Sequence, residues 1–472
     1  MIPIESFSYP IFDLSFSDVD AINLVTPFLD VIDCPAVEGR KGLYVHVPFC
    51  DTICTFCPFV KSGYTADRVE SYVSALLREV ELAGVKPRFR NWTVNAIYIG
   101  GGTPSVLPVR LIRDLFAGIR RSFSLANDVE ITFEVEPKSA TPELFDTLLD
   151  VGVTRVSFGA QTFDPGLRAD VNLTASLDQI GAVVERSAAA FTNTNMDMMV
   201  GFPGQSLDQA LQDMEVAATI GVGSVSVYPV DYCMVQPTWL DRVRNGQLPP
   251  PARAAARWEM FHQARRVLGA RLTEQNIYCF GTPSSPPCRY MFDILYGGYF
   301  DECLGLGCGA YSFLRGVAYH NTASERHYVA ELQASRMPVA IASPGHHYEK
   351  GLVFFPKHLA IRKAELDALE LGDQFRDKAE RLTAQGLVVD SGDRLELTEQ
   401  GKREYDEVML AFFSDAQRRL YERLCRRLMA SVGDFIAFEQ GGNRRGRASL
   451  GTVNAMTAAA VTRRATGTEQ RP

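Results

Sequence analysis

The chain has 472 residues, of which 46% are hydrophobic and 22% charged, a composition typical of an ordinary globular protein. Such a composition excludes the disordered, collagen-like and disulfide-scaffold classes. At roughly 150 residues per domain, the length predicts about three domains, or one large α/β barrel in place of two of them. The net charge of −8 gives no reason to expect a polyanionic partner, so nucleic acid is not an expected ligand.

The sequence predicts neither a membrane-spanning helix nor a signal peptide. No apolar run reaches the roughly 18 residues that a membrane-spanning helix needs. The first residues show no basic segment followed by an apolar stretch, so no signal peptide is expected. These observations predict a cytoplasmic protein without a membrane partner, and the residues 433–472 are expected to form a flexible basic tail.

Six short β-type runs recur along the first half of the chain, and segments with the helical period separate them. Such an alternation predicts an α/β fold with a parallel sheet and right-handed crossovers. In such a sheet ligands gather at the carboxyl ends of the strands. The runs are Gly42–Val47, Val94–Ile99, Val129–Glu134, Thr154–Phe158, Asn195–Val200 and Gly223–Tyr228.

Beyond the sixth run the strand–helix pattern loosens, and from His346 onward the chain reads as helices followed by a wing. Two short strand-like runs flank Ser391, Gly392 and Asp393, a plausible hairpin turn, so a winged-helix-like module is expected there. The surrounding charge is mixed, which argues against nucleic-acid binding by this module. The predicted domains are an N-terminal extension (1–40), a barrel with a C-terminal strand extension (41–320), a mainly helical winged-helix-like domain (321–432) and the basic tail (433–472).

Three of the ten cysteines stand together: Cys50, Cys54 and Cys57 follow the first β-type run with the spacing Cys-x3-Cys-x2-Cys. A zinc site usually has four nitrogen or sulfur ligands in paired CxxC knuckles, and no second pair lies at such spacing. Three thiolates on one short loop can instead hold three irons of a 4Fe-4S cluster, which leaves the fourth iron for an exchangeable ligand. The sequence therefore predicts a cluster with these three cysteines as metal ligands.

Around these cysteines the chain resembles the radical SAM superfamily, in the branch that contains oxygen-independent coproporphyrinogen III oxidases, heme chaperones and class C radical SAM methyltransferases. Seven phrases carry the resemblance in family order: YVHVPFCDTICTFC, YIGGGTPS, ITFEVEP, RVSFGAQTF, TNMDMMVGFPGQ, SVSVYPVDY and LGLGCGAYSF. The resemblance covers about residues 42–321. It implies a partial (β/α)6 radical SAM barrel.

The resemblance also implies cofactors and partners. The cofactors are a 4Fe-4S cluster and S-adenosylmethionine (SAM), with two SAM molecules in the methyltransferase pattern. The partners are a small-molecule substrate and an electron donor such as flavodoxin or ferredoxin. In the family, the cluster gives one electron to SAM, and the cleavage yields a 5′-deoxyadenosyl radical.

The family match implies SAM contacts from seven residues: Tyr44, Gly101, Gly102, Thr103, Glu134, Gln161 and Asp197. The residues by themselves leave alternatives open. The glycines suit any tight strand-to-helix turn, Glu134 could be a surface acid at a strand end, and Tyr44 could be a half-buried strand aromatic. Asp197 lies in an otherwise apolar strand and needs a polar partner, because an unpaired buried carboxylate is costly. His46 is expected to be a hydrogen-bonded core histidine, and no catalytic residue can be named.

Two positions depart from the oxidase pattern. Phe59 stands where the oxidases carry a further cysteine, and Leu173 stands where an arginine meets the SAM carboxylate. Arg168 could replace that arginine, or it could be a solvated helix residue. The phrase of His320 and Asn321 resembles a His-Asn phrase of the heme chaperones, or it is a capped turn.

These departures favour methyl or methylene transfer to an sp2 carbon of a small molecule, with a second SAM as carbon source. Two alternatives stay open. One is oxygen-independent coproporphyrinogen III oxidase, and the other is a heme-binding chaperone.

Overall fold

The structure is a computed structural model that describes residues 30–230, 237–298, 300–314, 317–344, 355–367 and 372–413. Residues 1–29 of the N-terminal extension and the whole basic tail 433–472 lie outside the described residues, as do Cys233 and Cys425. Within the described part, no helix is both long enough and apolar enough to cross a membrane.

The described core is built on one twelve-stranded sheet. Its parallel strands are β1 (Lys41–Val47), β4 (Thr93–Gly101), β5 (Ser124–Val135), β6 (Arg155–Gln161), β7 (Asn193–Val200), β8 (Ser224–Pro229) and β11 (Glu302–Leu306). Antiparallel strands extend both edges: β9 (Thr273–Glu274), β10 (Cys279–Gly281), β12 (Tyr311–Leu314), β13 (Val317–Asn321) and β14 (Val339–Pro344). Along the sheet the strands stand in the order β14-β13-β12-β11-β1-β4-β5-β6-β7-β8-β10-β9. All six predicted strands are confirmed, and with the helices between them they form the expected partial (β/α)6 barrel.

Helices connect the parallel strands, as the spacing of the predicted strands requires. They are α1 (Ala66–Gly84), α2 (Val109–Ser122), α3 (Pro142–Asp150), α4 (Pro165–Asp170), α5 (Leu177–Ala190), α6 (Leu207–Thr219), α7 (Pro237–Arg244) and α8 (Ala254–Gly269). Helices α5 and α6 begin with capping boxes, in which Ser176 and Ser206 accept from the backbone three residues on and a glutamine side chain returns the bond.

The barrel strands alternate between an apolar face and a polar face. Residues such as Ile97, Ile99, Phe133 and Val156 lie in the hydrophobic core beneath the helices. Their neighbours in sequence point to the other face, which forms the lumen of the barrel, because successive strand side chains point to opposite sides. The lumen side chains are Tyr44 and His46 on β1, Tyr98 on β4, Glu130, Thr132 and Glu134 on β5, Arg155 and Ser157 on β6, Asn195 and Asp197 on β7, and Ser224 and Ser226 on β8.

Strand β11 closes the first edge of the parallel sheet by pairing with β1. At the start of both strands, Glu302 is buried and forms ion pairs with Lys41 at 3.0 Å and with Arg88. The sheet then continues through β14, so its strand extension reaches Pro344 and passes the domain limit at residue 320 that the sequence suggested. The division into domains otherwise stays a prediction.

The remaining described residues form a small mixed module. Strands β15 (Ala360–Arg362), β16 (Val388–Asp390) and β17 (Arg394–Leu397) form an antiparallel sheet beside α10 (Lys363–Asp367), α11 (Gly372–Ala384), α12 (Glu399–Arg403) and α13 (Tyr405–Phe412); α9 (Glu325–Gln333) precedes them. The predicted hairpin is confirmed, because β16 and β17 pair across the turn at Gly392. The module packs on the barrel through the hydroxyls of Tyr278 and Tyr405, which lie 2.7 Å apart.

Candidate functional site

The cysteine loop, residues 48–61, begins and ends at neighbouring positions in the fold. Strand β2 (Phe49–Cys50) pairs in parallel with β3 (Ser62–Gly63), so the two ends of the loop are held side by side. The loop lies at the carboxyl end of β1, where a parallel sheet collects its ligands. Three thiols thus sit on one closed loop beside the lumen.

Side chains from two other segments of the barrel hold the cysteine loop in place. Lys138, just after β5, forms an ion pair with Asp51 at 2.9 Å and donates to the hydroxyl of Thr52 at 2.6 Å. Asn172, after α4, donates from its side chain to the carbonyl of Ile53 at 2.9 Å. The loop is therefore braced by contacts that a sequence pattern does not reveal.

Cys50 is buried, Cys54 and Cys57 are half-buried, and the three thiols lie close enough to influence one another. Burial raises the pKa of Cys54 to about 12, and the nearby Cys57 and Cys50 raise it further. Burial also raises the pKa values of Cys50 and Cys57, whereas the Lys61 ammonium opposes the rise at Cys57. Lys61 is fixed there because it donates to the carbonyls of Cys57 at 2.6 Å and Phe59 at 3.0 Å.

These features fit a cluster better than a single metal ion. Among the described residues, no three His, Cys, Asp or Glu side chains stand close enough to hold one ion. A 4Fe-4S cubane instead separates its thiolate ligands and takes the place of their protons, so it offsets the unfavourable ionisation of buried thiols. Cys50, Cys54 and Cys57 remain the predicted ligands.

In the glycine loop after β4, residues 100–103, the backbone amides donate to other groups of the protein. Gly101 donates to a carboxylate oxygen of Glu134 at 3.0 Å. Gly102 and Thr103 donate to backbone carbonyls just before the cysteines, at 2.7 and 2.8 Å. An ammonium group needs acceptors, so the predicted contact with the SAM amino group would have to come from the carbonyls of this loop and not from its amides.

Close packing explains why three glycines stand here. A Cβ atom at Gly100 would lie 2.7 Å from the carboxylate of Glu134, and one at Gly102 would lie 2.7 Å from the backbone of Pro48. At Gly101, φ is +118° and a Cβ atom would lie 2.6 Å from the His46 ring. The sequence suggested that the missing side chains admit a ligand, whereas the structure shows that they first admit neighbouring protein groups.

Glu134 links the glycine loop to the lumen. One of its carboxylate oxygens accepts from the Tyr98 hydroxyl at 2.8 Å and the other accepts from Gly101. Burial raises the pKa of Glu134 to about 7, although both hydrogen bonds oppose the rise. Glu134 is therefore a half-buried lumen residue and not a surface acid. Tyr98, which sequence reasoning missed, alternates with Gly100 on the same face of β4 and could have been found from that alternation.

Tyr44 and His46 form one hydrogen-bonded chain. The Nε2 atom of His46 lies 2.8 Å from the carbonyl of Val60, so Nε2 carries the proton and Nδ1 accepts from the Tyr44 hydroxyl at 3.0 Å. Burial lowers the pKa of His46 to about 4, which keeps the ring neutral. The prediction of a hydrogen-bonded core histidine is confirmed, and Tyr44 is a half-buried lumen aromatic whose contact with SAM stays a prediction.

Asp197 has the polar partners that its sequence context required. The side-chain amide of Asn195 donates to it at 2.9 Å, and the hydroxyl of Ser157 does so at 3.4 Å. Burial raises the pKa of Asp197, and the charge of Arg155 opposes that rise. Gln161 ends β6 with φ at +67°, a conformation uncommon outside glycine, next to an irregularity in the β6–β7 register.

Leu173 and Arg168 do not supply a charge for the SAM carboxylate. Leu173 packs against the core. Arg168 is buried, and its guanidinium donates to the carbonyls of Ala160 and Thr162, each at 2.8 Å, and to that of Ala175. Both expectations for Arg168, a substitute ligand or a solvated helix residue, are wrong, because its donors hold the turn between β6 and α5.

The His-Asn phrase braces the end of the barrel. Asn321 is fully buried and donates to Glu79 at 2.6 Å and to the carbonyl of Gly307 at 3.0 Å. Glu79 also accepts from the amide of Gly307 at 2.7 Å and from the Tyr328 hydroxyl at 2.6 Å. Asn321 is thus a structural residue, while half-buried His320 packs against Tyr311 with ring centroids 5.1 Å apart.

Thr103 provides a direct test of the cluster assignment, because its hydroxyl lies 3.4 Å from the Cys50 sulfur as a donor. A donor to a cluster thiolate stabilises the reduced, more negative cluster. We expect Thr103→Val to lower the midpoint potential by roughly 60 mV, the one-electron equivalent of a hydrogen bond worth about 1.4 kcal/mol. Redox titration followed by electron paramagnetic resonance measures this shift.

The matched control is Thr103→Ser, which keeps the hydroxyl. It is expected to hold the potential near that of the unaltered protein. An equal shift in both variants would show that the methyl group, and not the hydrogen bond, sets the potential.

Comparison with known proteins agrees with this site. The model of the radical SAM superfamily matches residues 44–217. The heme chaperone HemW of Mycobacterium tuberculosis (strain H37Rv) is 32% identical over 381 residues, which cover 78% of this chain and 93% of that protein. Anaerobilin synthase of Escherichia coli O157:H7 is 26% identical over 393 residues, or 80% and 85% of the two chains.

A solved structure shares the fold. Coproporphyrinogen III oxidase (HemN) from Escherichia coli superimposes with a TM-score of 0.71 over 86% of this chain and 98% of its own, at 20% identity. That identity supports the fold alone. The superfamily uses a 4Fe-4S cluster and SAM, and the cysteine loop and lumen described above fit both. The chain therefore belongs to the radical SAM superfamily, in the branch that it shares with the heme chaperone HemW.

Proposed function

We propose that this protein is a heme-binding radical SAM protein of the chaperone type. The observation that carries the proposal is the 32% identity to the Mycobacterium tuberculosis heme chaperone, which extends over 93% of that relative. A match of such extent spans most of both chains and reaches well beyond the cysteine loop. A likeness confined to the cofactor loop would have supported the superfamily and nothing further.

Different residues of the chain would bind the cluster and SAM. Cys50, Cys54 and Cys57 would hold the cluster, and the carbonyls of the glycine loop, Glu134 and Asp197 would face SAM. When bound, the cluster supplies single electrons at low potential for the reductive cleavage of SAM. The protein contributes orientation and shielding, since all of these groups lie inside one closed loop or the barrel lumen. A flavodoxin or ferredoxin as electron donor remains part of the proposal.

The two other hypotheses have less support. Methyl transfer, which the sequence departures favoured, finds no support among these relatives. The oxidase hypothesis has a structural relative at 20% identity, which speaks for the fold, and Phe59 stands in place of the further cysteine of that pattern. The absence of that cysteine argues against the oxidase hypothesis.

A second candidate function is a radical reaction on a tetrapyrrole. The specific observation in its favour is the match to anaerobilin synthase over 85% of that enzyme. The three cysteines of the loop, the glycine loop and Glu134 are the groups that would hold the cluster and SAM for such a reaction. The two functions differ in whether bound heme survives turnover.

Heme titration is the test. Anaerobically reconstituted protein is expected to bind about one heme per chain, with a shift of its visible absorption band, and to pass this heme to an apoprotein acceptor with its spectrum unchanged. Loss of the heme absorption together with formation of 5′-deoxyadenosine would favour the second candidate. Absence of heme binding would contradict both. No carbon dioxide is expected from coproporphyrinogen III.

His320 offers a first test of the ligand. His320→Ala reports whether this half-buried imidazole contributes to heme binding, since histidine is a competent axial ligand. His327→Ala is the matched control, because His327 is exposed on the surface of α9 and lies 3.3 Å from Glu331. A change in the heme spectrum with the first variant alone would place the ligand at His320.

A further inference from the structure

Arg155 lies in the barrel lumen without a partner. It is the first residue of β6, its exposed fraction is 4%, and it alternates with Ser157 on the polar face. Its guanidinium makes no hydrogen bond to any residue that the structure describes, and its Nε atom is fully buried without an acceptor there. No carboxylate oxygen of the described residues lies within 4 Å of it.

Other buried arginines of the described chain are paired. Arg88 binds Glu302, Arg265 binds Glu274, and Arg168 donates to three backbone carbonyls. An arginine has five donors in a fixed fork, and burying them without acceptors is unfavourable. Arg155 therefore lacks the structural explanation that accounts for these other residues.

The groups around Arg155 show which ligand would suit it. The carboxylates of Glu134, Asp197 and Glu130 interact electrostatically with the charge of Arg155, but they lie too far away to form ion pairs with it. Tyr98, Cys279 and Cys288 complete its surroundings. Glu130 is already engaged, because it accepts from the amide of Arg289 at 2.8 Å. The lumen thus holds carboxylates that attract Arg155 yet leave its fork open.

We propose that Arg155 binds a carboxylate group of a ligand that enters the barrel lumen. A planar guanidinium matches a carboxylate in a bidentate arrangement, which explains an arginine rather than a lysine at this place. Two sources of this carboxylate come from the function proposed above: the methionine end of SAM and the propionates of heme. The SAM carboxylate is one source because Leu173 stands where the family resemblance expects an arginine, so that position supplies no charge for it. The heme source rests on the proposed function.

Binding measurements on the anaerobically reconstituted protein separate these sources. Arg155→Met removes the charge and keeps much of the volume, whereas Arg155→Lys keeps the charge and removes the fork. Affinities are measured for SAM against decarboxylated SAM, and for heme against its dimethyl ester. We expect Arg155→Met to weaken one carboxylated ligand at least tenfold and to leave its uncharged counterpart unchanged, with Arg155→Lys in between.

Each outcome has a definite meaning. A loss confined to SAM assigns the methionine carboxylate, and a loss confined to heme assigns a propionate. If Arg155→Met binds both carboxylated ligands with unchanged affinity, the proposal is overturned. A lower melting temperature of that variant would then show that Arg155 only balances the charge of the lumen carboxylates. If the unaltered protein binds no heme, the proposed function fails, while the SAM measurements still decide the role of Arg155. Should Arg155→Met not fold, Arg155→Lys gives the same comparison.

Discussion

Replacing Cys50, Cys54 and Cys57 together with alanine is expected to abolish the brown iron–sulfur chromophore and all SAM cleavage. The three thiols lie on one loop whose ends are joined by the β2–β3 pair, so they are presented to the same group. Anaerobic reconstitution of the unaltered protein should give about four irons and four sulfides per chain. Iron and sulfide analysis, visible absorption and the yield of 5′-deoxyadenosine measure the effect.

The matched control is the double variant of Cys34 and Cys303. Cys34 is exposed and Cys303 is buried in the sheet, and both lie away from the cysteine loop. This variant should retain the iron and the cleavage of SAM. SAM cleavage that persists in the triple variant would place the cluster elsewhere and would contradict the site described here.

The parallel part of the fold could be predicted from the sequence because its signal is local. Each of the six runs has strand length and is separated from the next by enough residues for a helix. Strand β11 could not be predicted in the same way. Its role as a seventh parallel strand depends on pairing with β1 some 260 positions away, in register from Lys41 with Glu302 to Val45 with Leu306. Long-range pairing of this kind leaves no period in the local sequence.

The site shows the same division between local and long-range information. The spacing of the three cysteines is local and identifies the loop, whereas the residues that brace it, Lys138 after β5 and Asn172 after α4, are distant in the sequence. Arg168 looked like a helix residue exposed to solvent because α4 is short and polar, yet its side chain fills a buried turn. The unpaired state of Arg155 is equally invisible in a sequence, since it depends on what fails to approach the side chain.

The stability of the protein is expected to depend on pH through Glu79. Burial raises the pKa of this carboxyl group to about 7 in the folded protein, although Tyr328, Gly307 and Asn321 donate to it. Its value in an unfolded chain is near 4.5. The folded protein therefore holds the proton more tightly, so the contribution of this group to stability is complete below pH 4.5 and is lost as the pH rises through 7. A shift of this size corresponds to a free energy of unfolding of about 3 kcal/mol.

Comparison with Glu79→Gln isolates this contribution, because Glu134 and Glu136 have pKa values raised to about 7 and about 6 and titrate in the same range. The glutamine carries no titratable proton, so the variant should differ from the unaltered protein by an amount that changes between pH 5 and 8.5. The free energy of unfolding of the unaltered protein should fall relative to that of Glu79→Gln by about 2 to 3 kcal/mol over this range, because a part of the total effect already falls below pH 5. Denaturant unfolding at several pH values measures the difference. A constant difference across the range would mean that Glu79 is already ionised in the folded protein, with its three donors sufficient to compensate for burial.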